Sequence, residues 1–395
     1  MSTNRQIPMA SPDISAEEIS AVKDVLQTSR LSQGPQVESF ELLVADYVGA
    51  KHAVAVSSGT AALHLAVIAA GVADGDLVIT TPFSFVASSN VLLYERAVPV
   101  FVDVDPFTFN IDPQQVFEAI KDLSSSSNMS YKWLPPKLRN QKLGKAKSIL
   151  AVDVFGQPAE MDQLKALARD YDLTLIEDSA EAIGSRYEGR PAGNLGDVGI
   201  FAFYPNKQIT TGEGGVAVTD NDEWASLFRS LRNQGRDVFD GWLGHSRLGY
   251  NYRLNELSAA IGVSQMNRIE KILSKRNQVA NLYSHYLTEI KGVNPPQISK
   301  KTTKMSWFVY VVRLNPGIDR DEVVSKLLER GIPSRPYFPS IHLLPFYREK
   351  FGFESGDFPI AEKISSQTIA LPFYTAMNEQ EIATVCEALD QVLNY

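Results

Sequence analysis

Cysteine is nearly missing from this chain, and the single thiol, Cys386, rules out an internal disulfide framework. Histidine is almost as scarce. His52, His64, His245, His285 and His342 fall at no metal-ligand spacing and no HExxH run occurs, so no metal site is expected. Positive charge is in deficit, with 38 Lys and Arg against 46 Asp and Glu, a net charge of −8 and a pI near 5.3. No dense Lys/Arg cluster reverses that balance locally, and nucleic acid is not an expected partner. No apolar run reaches about 18 residues without a charge, the length a membrane helix needs. The opening Met1-Ser-Thr-Asn-Arg-Gln-Ile lacks the apolar stretch of a secretory signal. A cytoplasmic protein without a membrane partner is therefore expected.

The chain does have enough apolar material for a large core. Its 395 residues are 44% hydrophobic and 21% charged, sufficient for one large domain and one smaller one. Over 50–265, short apolar runs alternate with helical patterns, the signature of a mainly parallel sheet flanked by helices on both faces. The expected strands are His52-Ala-Val-Ala-Val-Ser57, Leu77-Val-Ile-Thr80, Val98-Pro-Val-Phe-Val-Asp103, Ser148-Ile-Leu-Ala-Val-Asp153, Leu173-Thr-Leu-Ile-Glu177 and Val198-Gly-Ile-Phe-Ala-Phe203. Gly215-Val-Ala-Val-Thr219 reads as a return strand. Residues 124–147, with four consecutive serines, Pro135-Pro136 and several lysines, read as a polar surface excursion without chemistry. Helices over 254–287 lead out of the sheet. Beyond them a strand at Ser306-Trp-Phe-Val-Tyr-Val-Val-Arg313 and helices over 320–330 and 378–393 predict a smaller α+β unit. The fold class is α/β, with a large domain over 1–270 and a small one over 271–395.

The chemistry concentrates in two segments. In Phe201-Ala-Phe-Tyr-Pro-Asn-Lys207-Gln-Ile-Thr-Thr-Gly212-Glu-Gly-Gly215 an apolar strand delivers Lys207 into a glycine-closed loop. Leu175-Ile-Glu-Asp178-Ser-Ala-Glu181 ends another apolar strand on a carboxylate. Buried amines lose their charge readily, and an uncharged lysine forms a Schiff base with an aldehyde. A carboxylate about 4 Å from a pyridinium gains roughly 4 kcal/mol at an effective dielectric near 20, about three pKa units. Asp178 is thereby suited to keeping a pyridine nitrogen protonated, and the pair describes a pyridoxal 5'-phosphate site. Ser57-Ser58-Gly59-Thr60 follows a strand and opens a helix, where free N–H groups and the helix dipole favour phosphate at Gly59 and Thr60. Serine and threonine also cap helices for purely structural reasons, so this reading leans on Lys207 and Asp178. In Pro82-Phe83-Ser84-Phe85, Phe85 is the expected ring platform and Phe83 the expected core residue. Arg253, Arg335 and His342 are candidate substrate contacts, because diphosphates favour forked guanidinium donors. A nucleophile-elbow reading of Gly244-His-Ser246-Arg-Leu248 fails at its last residue, which would have to be glycine.

These residues carry a resemblance to the DegT/StrS family of sugar aminotransferases, fold-type I pyridoxal-phosphate enzymes that aminate keto sugars attached to nucleoside diphosphates. The likeness runs nearly end to end. It includes Ile7-Pro-Met-Ala-Ser-Pro12, Leu31-Ser-Gln-Gly-Pro35, Pro99-Val-Phe-Val-Asp-Val-Asp105, Phe155-Gly-Gln-Pro158, Gly249-Tyr-Asn-Tyr-Arg-Leu254 and Pro336-Tyr-Phe-Pro339 beside the segments above. The resemblance implies that Lys207 forms the Schiff base, Asp178 pairs with the pyridine nitrogen, Phe85 stacks on the ring, and Gly59 and Thr60 bind phosphate. It implies that Asn251 reaches the neighbouring subunit's cofactor, which makes a homodimer with shared active sites the active unit. It further implies a 3- or 4-keto deoxy sugar as acceptor and L-glutamate as donor, with pyridoxamine phosphate between the two half-reactions. Relatives that remove a hydroxyl instead carry histidine in place of the lysine, so Lys207 favours amino transfer. A carbocyclic ketone as acceptor and a non-catalytic regulatory role are the alternatives.

Two positions depart from the family's common pattern. Ala202 stands where many relatives carry a phosphate-contacting serine, leaving Tyr204, Asn206 or a water to substitute. Glu181 stands where Gln or His often donates to the ring's phenolic oxygen, and an ionised carboxylate cannot donate. Either burial protonates Glu181 or a water or hydroxyl intervenes. Some similar proteins acting on GDP-linked 4-keto-6-deoxymannose also carry Glu there.

Overall fold

The computed structural model describes residues 7–125, 128–237 and 244–394. Its centre is a seven-stranded sheet in the order His52–Val56, Gly215–Thr219, Val198–Ala202, Thr174–Asp178, Ala146–Val152, Leu77–Thr80, Val98–Phe101. Gly215–Thr219 runs antiparallel to both its neighbours, and all other strands point one way. The expected return strand is therefore the single reversed element of this sheet.

Period-two alternation sorts the strand side chains onto two covered faces. Val54, Val56, Val78, Leu150, Ile176 and Ile200 pack on the helices Gly59–Ala69, Ala87–Tyr94 and Asp222–Leu231. Ala53, Ala55, Val216 and Val218 meet Pro35–Val48 and Glu256–Asn267, while Ile79, Ile149 and Leu175 meet Pro113–Ser124 and Met161–Asp170. In Gly59–Ala69, Leu65, Ala66 and Val67 are wholly buried, and each of the two larger side chains contributes about 2 kcal/mol by leaving water.

Buried carboxylates act as backbone plugs. Glu256 accepts the N–H groups of Gly34, Gln36 and Val37 at 2.9, 2.9 and 3.0 Å, satisfying the start of Pro35–Val48. Glu177 does the same for Gly193, Leu195 and Gly196 at 2.7, 2.7 and 3.1 Å.

A second, four-stranded antiparallel sheet orders Val293–Asn294, Tyr310–Leu314, Thr368–Leu371 and Arg335–Pro336, with Arg320–Glu329 and Glu379–Asn394 packed on it. The strand expected over 306–313 starts later, at Tyr310. Trp307 sits at φ 54°, a left-handed conformation that cannot continue a strand, and the chain turns instead towards the first sheet. The excursion over 124–147 is also less free than its composition implies. Trp133, Leu134, Leu138 and Leu143 pack against the core around Ile79 and Ile149, and Trp133 Nε1 donates to Asp122 at 2.8 Å. No helix among the described residues is long and apolar enough to cross a membrane.

Candidate active site

The carboxyl ends of Ala146–Val152, Thr174–Asp178 and Val198–Ala202 open onto a cavity of about 460 Å³. Ligands favour this edge of open α/β sheets. Its walls include Gly59, Thr60, Phe85, Asp178, Glu181 and Lys207, which are far apart in sequence.

Close packing brings the helix Gly59–Ala69 to this edge. A side chain at Gly59 would lie 2.6 Å from Ala202 Cβ, and one at Gly215 would lie 2.3 Å from the Ser58 carbonyl oxygen. Both glycines are required because the helix start lies directly on the strand ends. Ser58 caps it by accepting the Ala61 N–H at 3.1 Å. The N–H groups of Gly59 and Thr60, in the first turn, have no partner within the helix.

Asp178 is buried at the floor. Its Oδ2 accepts from Ser88 Oγ at 2.7 Å and its Oδ1 from the Ala180 N–H at 3.2 Å. Burial pushes its carboxyl above the ordinary aspartate range, opposed by those hydrogen bonds and by the nearby Lys207 charge. Glu181 is buried too, and burial raises it, against the attraction of Lys207 and the Phe155 N–H. Its two oxygens divide the work. Lys207 Nζ lies 3.3 Å from Oε1, and the Phe155 N–H donates to Oε2 at 3.0 Å. Lys207 Nζ also stands 4.0 Å from the centre of the Phe308 ring.

The aromatic residues divide between core and cavity. Phe83 is wholly buried, in edge contact with Phe155 and Phe338, whereas Phe85 is 60% exposed over the cavity. Only the alternation of a turn separates them. Tyr204, Asn206, Tyr337 and Phe338 complete the wall, and burial pushes the Tyr337 hydroxyl up to about 12. Asn206 Oδ1 is buried without a hydrogen-bond partner, an orphan polar atom beside Lys207.

The remaining sequence candidates lie elsewhere. Asn251 is exposed and its backbone bridges Asn233, outside this cavity. Arg253 donates to Asn233 Oδ1 at 3.0 Å, and Arg335 is exposed with Nη1 on the Ser334 carbonyl at 3.2 Å. His342 is completely buried among Phe353 and Phe358, with Nε2 3.0 Å from Glu362, and burial lowers its pKa. A side chain so enclosed does not meet a substrate, so the structure removes His342 from the expected contacts. Sequence reasoning missed Ser88 and Phe308. No local pattern marks either one, because each gains its role from an element distant in the chain.

The set of groups fits pyridoxal phosphate: a tight cradle at Gly59, an exposed ring platform, a buried acid and an amine. Fold and site define a pyridoxal-phosphate-dependent aminotransferase. The chain belongs to the DegT/DnrJ/EryC1/StrS aminotransferase family, which it matches over residues 12–390. It is 36% identical over 397 residues to a GDP-perosamine synthase of Caulobacter vibrioides, covering 100% of both chains. PseC of Helicobacter pylori, an aminotransferase involved in the biosynthesis of pseudoaminic acid, superposes with a TM-score of 0.85 at 26% identity, over 99% of this chain and 100% of that one. DesV of S. venezuelae superposes with a TM-score of 0.85 at 30% identity, over 98% of each chain.

Proposed function

We propose that the protein transfers an amino group from L-glutamate to a 3- or 4-keto deoxy sugar carried on a nucleoside diphosphate. The observation that carries this reading is the convergence of Lys207, Asp178 and the helix start at Gly59 on one cavity, from separate elements. Lys207 would meet the cofactor's aldehyde carbon, Asp178 its ring nitrogen, Gly59 and Thr60 its phosphate, and Phe85 its ring face. With Ala202 offering no hydroxyl, Tyr204, Asn206 or a water would replace that contact. When bound, pyridoxal phosphate supplies an electron sink for the carbanion at the amino-bearing carbon.

The chain's own groups handle the protons. The Lys207 amine takes a proton from the donor's α-carbon and returns one at the neighbouring position, then reverses the order on the keto sugar. Glu181, 3.3 Å from Nζ, steadies the ammonium between these steps. Asp178 holds a proton at the ring nitrogen, and its own enclosure excludes competing water. Asn251 of a second copy would complete each site, which makes a homodimer the working unit.

Glu181 and the likeness to a GDP-perosamine synthase support GDP-4-keto-6-deoxymannose as the first acceptor to try. The test is a glutamate half-reaction followed by challenge with UDP-, GDP- and dTDP-linked keto sugars and a carbocyclic ketone. The visible cofactor band should bleach with glutamate and return with one nucleotide sugar. A band restored only by the carbocycle would move the acceptor class, and a band indifferent to every donor would replace catalysis with a regulatory role.

A further inference from the structure

Two energetically costly features meet at one short segment. Arg276 is buried, no carboxylate among the described residues is ion-paired with it, and burial lowers its guanidinium to about 9 against the more distant attraction of Asp13. An unpaired buried cation is expensive unless its donors are well used. They are used on two consecutive carbonyls: Nε donates to Trp307 O and Nη2 to Phe308 O, both at 2.7 Å, with the guanidinium 4.9 Å from the Phe373 ring centre. The second costly feature is Trp307 itself, a bulky side chain held at φ 54°.

The same segment is tied from its other side to the loop carrying Lys207. Ser306 Oγ accepts from Gln208 Nε2 at 2.7 Å and pairs with Ser185 Oγ at 2.9 Å, while the Ser306 N–H donates to Ser185 Oγ at 3.0 Å. Trp307 Nε1 reaches Asn277 Oδ1 at 3.1 Å. With its backbone held on both sides, the segment has one large side chain aimed at the cavity. That side chain is Phe308, 2% exposed, whose ring centre lies 4.0 Å from Lys207 Nζ.

We infer that Phe308 is a positioning residue for the Lys207 amine, and that Arg276 and the left-handed turn at Trp307 hold it in place. The ring face and the Glu181 carboxylate form a seat with two sides for the ammonium. A ring quadrupole attracts a cation without removing its proton, whereas a carboxylate alone could take that proton. The seat thus fixes where the amine stands, with Phe308 and Glu181 each within about contact distance of Nζ. This inference rests on the reading of Lys207 as the reacting lysine.

The test compares Phe308→Leu and Phe308→Met, which fill the volume without a ring, with Phe308→Tyr, which keeps the ring. Cofactor-stripped full-length protein is acylated to low conversion with acetic anhydride at pH 8. The Lys207 peptide is then quantified by mass spectrometry against surface lysine peptides. Loss of the ring face should raise Lys207 acylation by about threefold to tenfold in the Leu or Met variant, and Tyr should restore the wild-type value. If Leu fails to fold, Met carries the comparison. Acylation within about twofold of wild type in the ringless variants, or an equal rise in the Tyr variant, would overturn the inference. Because the labelling needs no cofactor, a failure of amino transfer with this contrast intact would defeat the proposed function and leave the seat standing.

Discussion

Two groups of carboxylates in this protein have opposite surroundings. At the cavity, Asp178 and Glu181 are buried, the Lys207 amine lies 3.3 Å from Glu181 and acts on both, and burial drives both upward. Near the amino-terminal end, Asp13 and Glu18 face two cations. Arg268 reaches Asp13 Oδ1 and Glu18 Oε1 at 2.8 Å each, and Lys275 reaches Asp13 Oδ2 at 2.8 Å. Burial opposes ionisation there too. Hydrogen bonds from Lys275 and Arg268 nevertheless hold Asp13 down to about 2, and those from Arg268, Ser15 and Gln265 do the same for Glu18. One set sits where burial disfavours its charge, and the other spends its charge on joining the helices Ala16–Leu26 and Ile269–Leu287 to their surroundings.

The contrast is most severely tested at the amine. Lys207→Ala should lower turnover by about ten-thousandfold while the protein still takes up pyridoxamine phosphate, read by absorbance. Measurable turnover near wild type would remove Lys207 from the proton steps. Asp178→Asn should lose roughly a hundredfold to a thousandfold in rate with an unchanged melting curve, matching about three pKa units at a ring nitrogen. Wild-type rate in that variant would refute the pyridinium argument.

Arg268→Met acts on the other group and should leave the half-reaction alone. It leaves the buried Glu18 without a cation and Asp13 with Lys275 alone, and should cost about 2 kcal/mol in a urea titration at pH 7. The pH dependence is linked to it. Asp13 and Glu18 have folded values near 2, below their ordinary ones, so their contribution is complete above about pH 5 and fades as pH falls towards 2. The urea midpoint should fall over that window in the wild type and fall less in Arg268→Met; parallel curves would mean the cluster is not the source. Smallest of all, Ser88→Ala removes one hydrogen bond to Asp178 and should slow the reaction about tenfold at most. A change in stability larger than the change in rate would make Ser88 a packing residue instead.

The two halves of the chain differ in legibility for a similar reason. Strands of the seven-stranded sheet are buried on both faces, so they read as continuous apolar runs, and Leu77–Thr80 has the bounds its pattern predicts. Ser306 to Val309 misled because Trp-Phe-Val favours strand locally while Arg276, an element away, holds the backbone in a turn. His342 differs in another way: expected with Arg335 as a substrate contact, it is enclosed by the long-range packing of Phe353 and Phe358. Arg253 and Arg335 keep their charge outside the cavity, a placement no spacing rule could assign.

Local chemistry was enough to single out the candidate residues: an amine ending an apolar segment, an acid ending another, and a helix start rich in small residues. Those properties depend on side-chain type and on period-two or helical patterning, which neighbours in the chain carry. What required the folded molecule was their meeting, and with it Ser88 on Asp178, Glu181 and Phe308 beside Lys207, and the tight cradle at Gly59. Contacts across tens or hundreds of residues are set by the packing of whole elements, and no short stretch of sequence contains them.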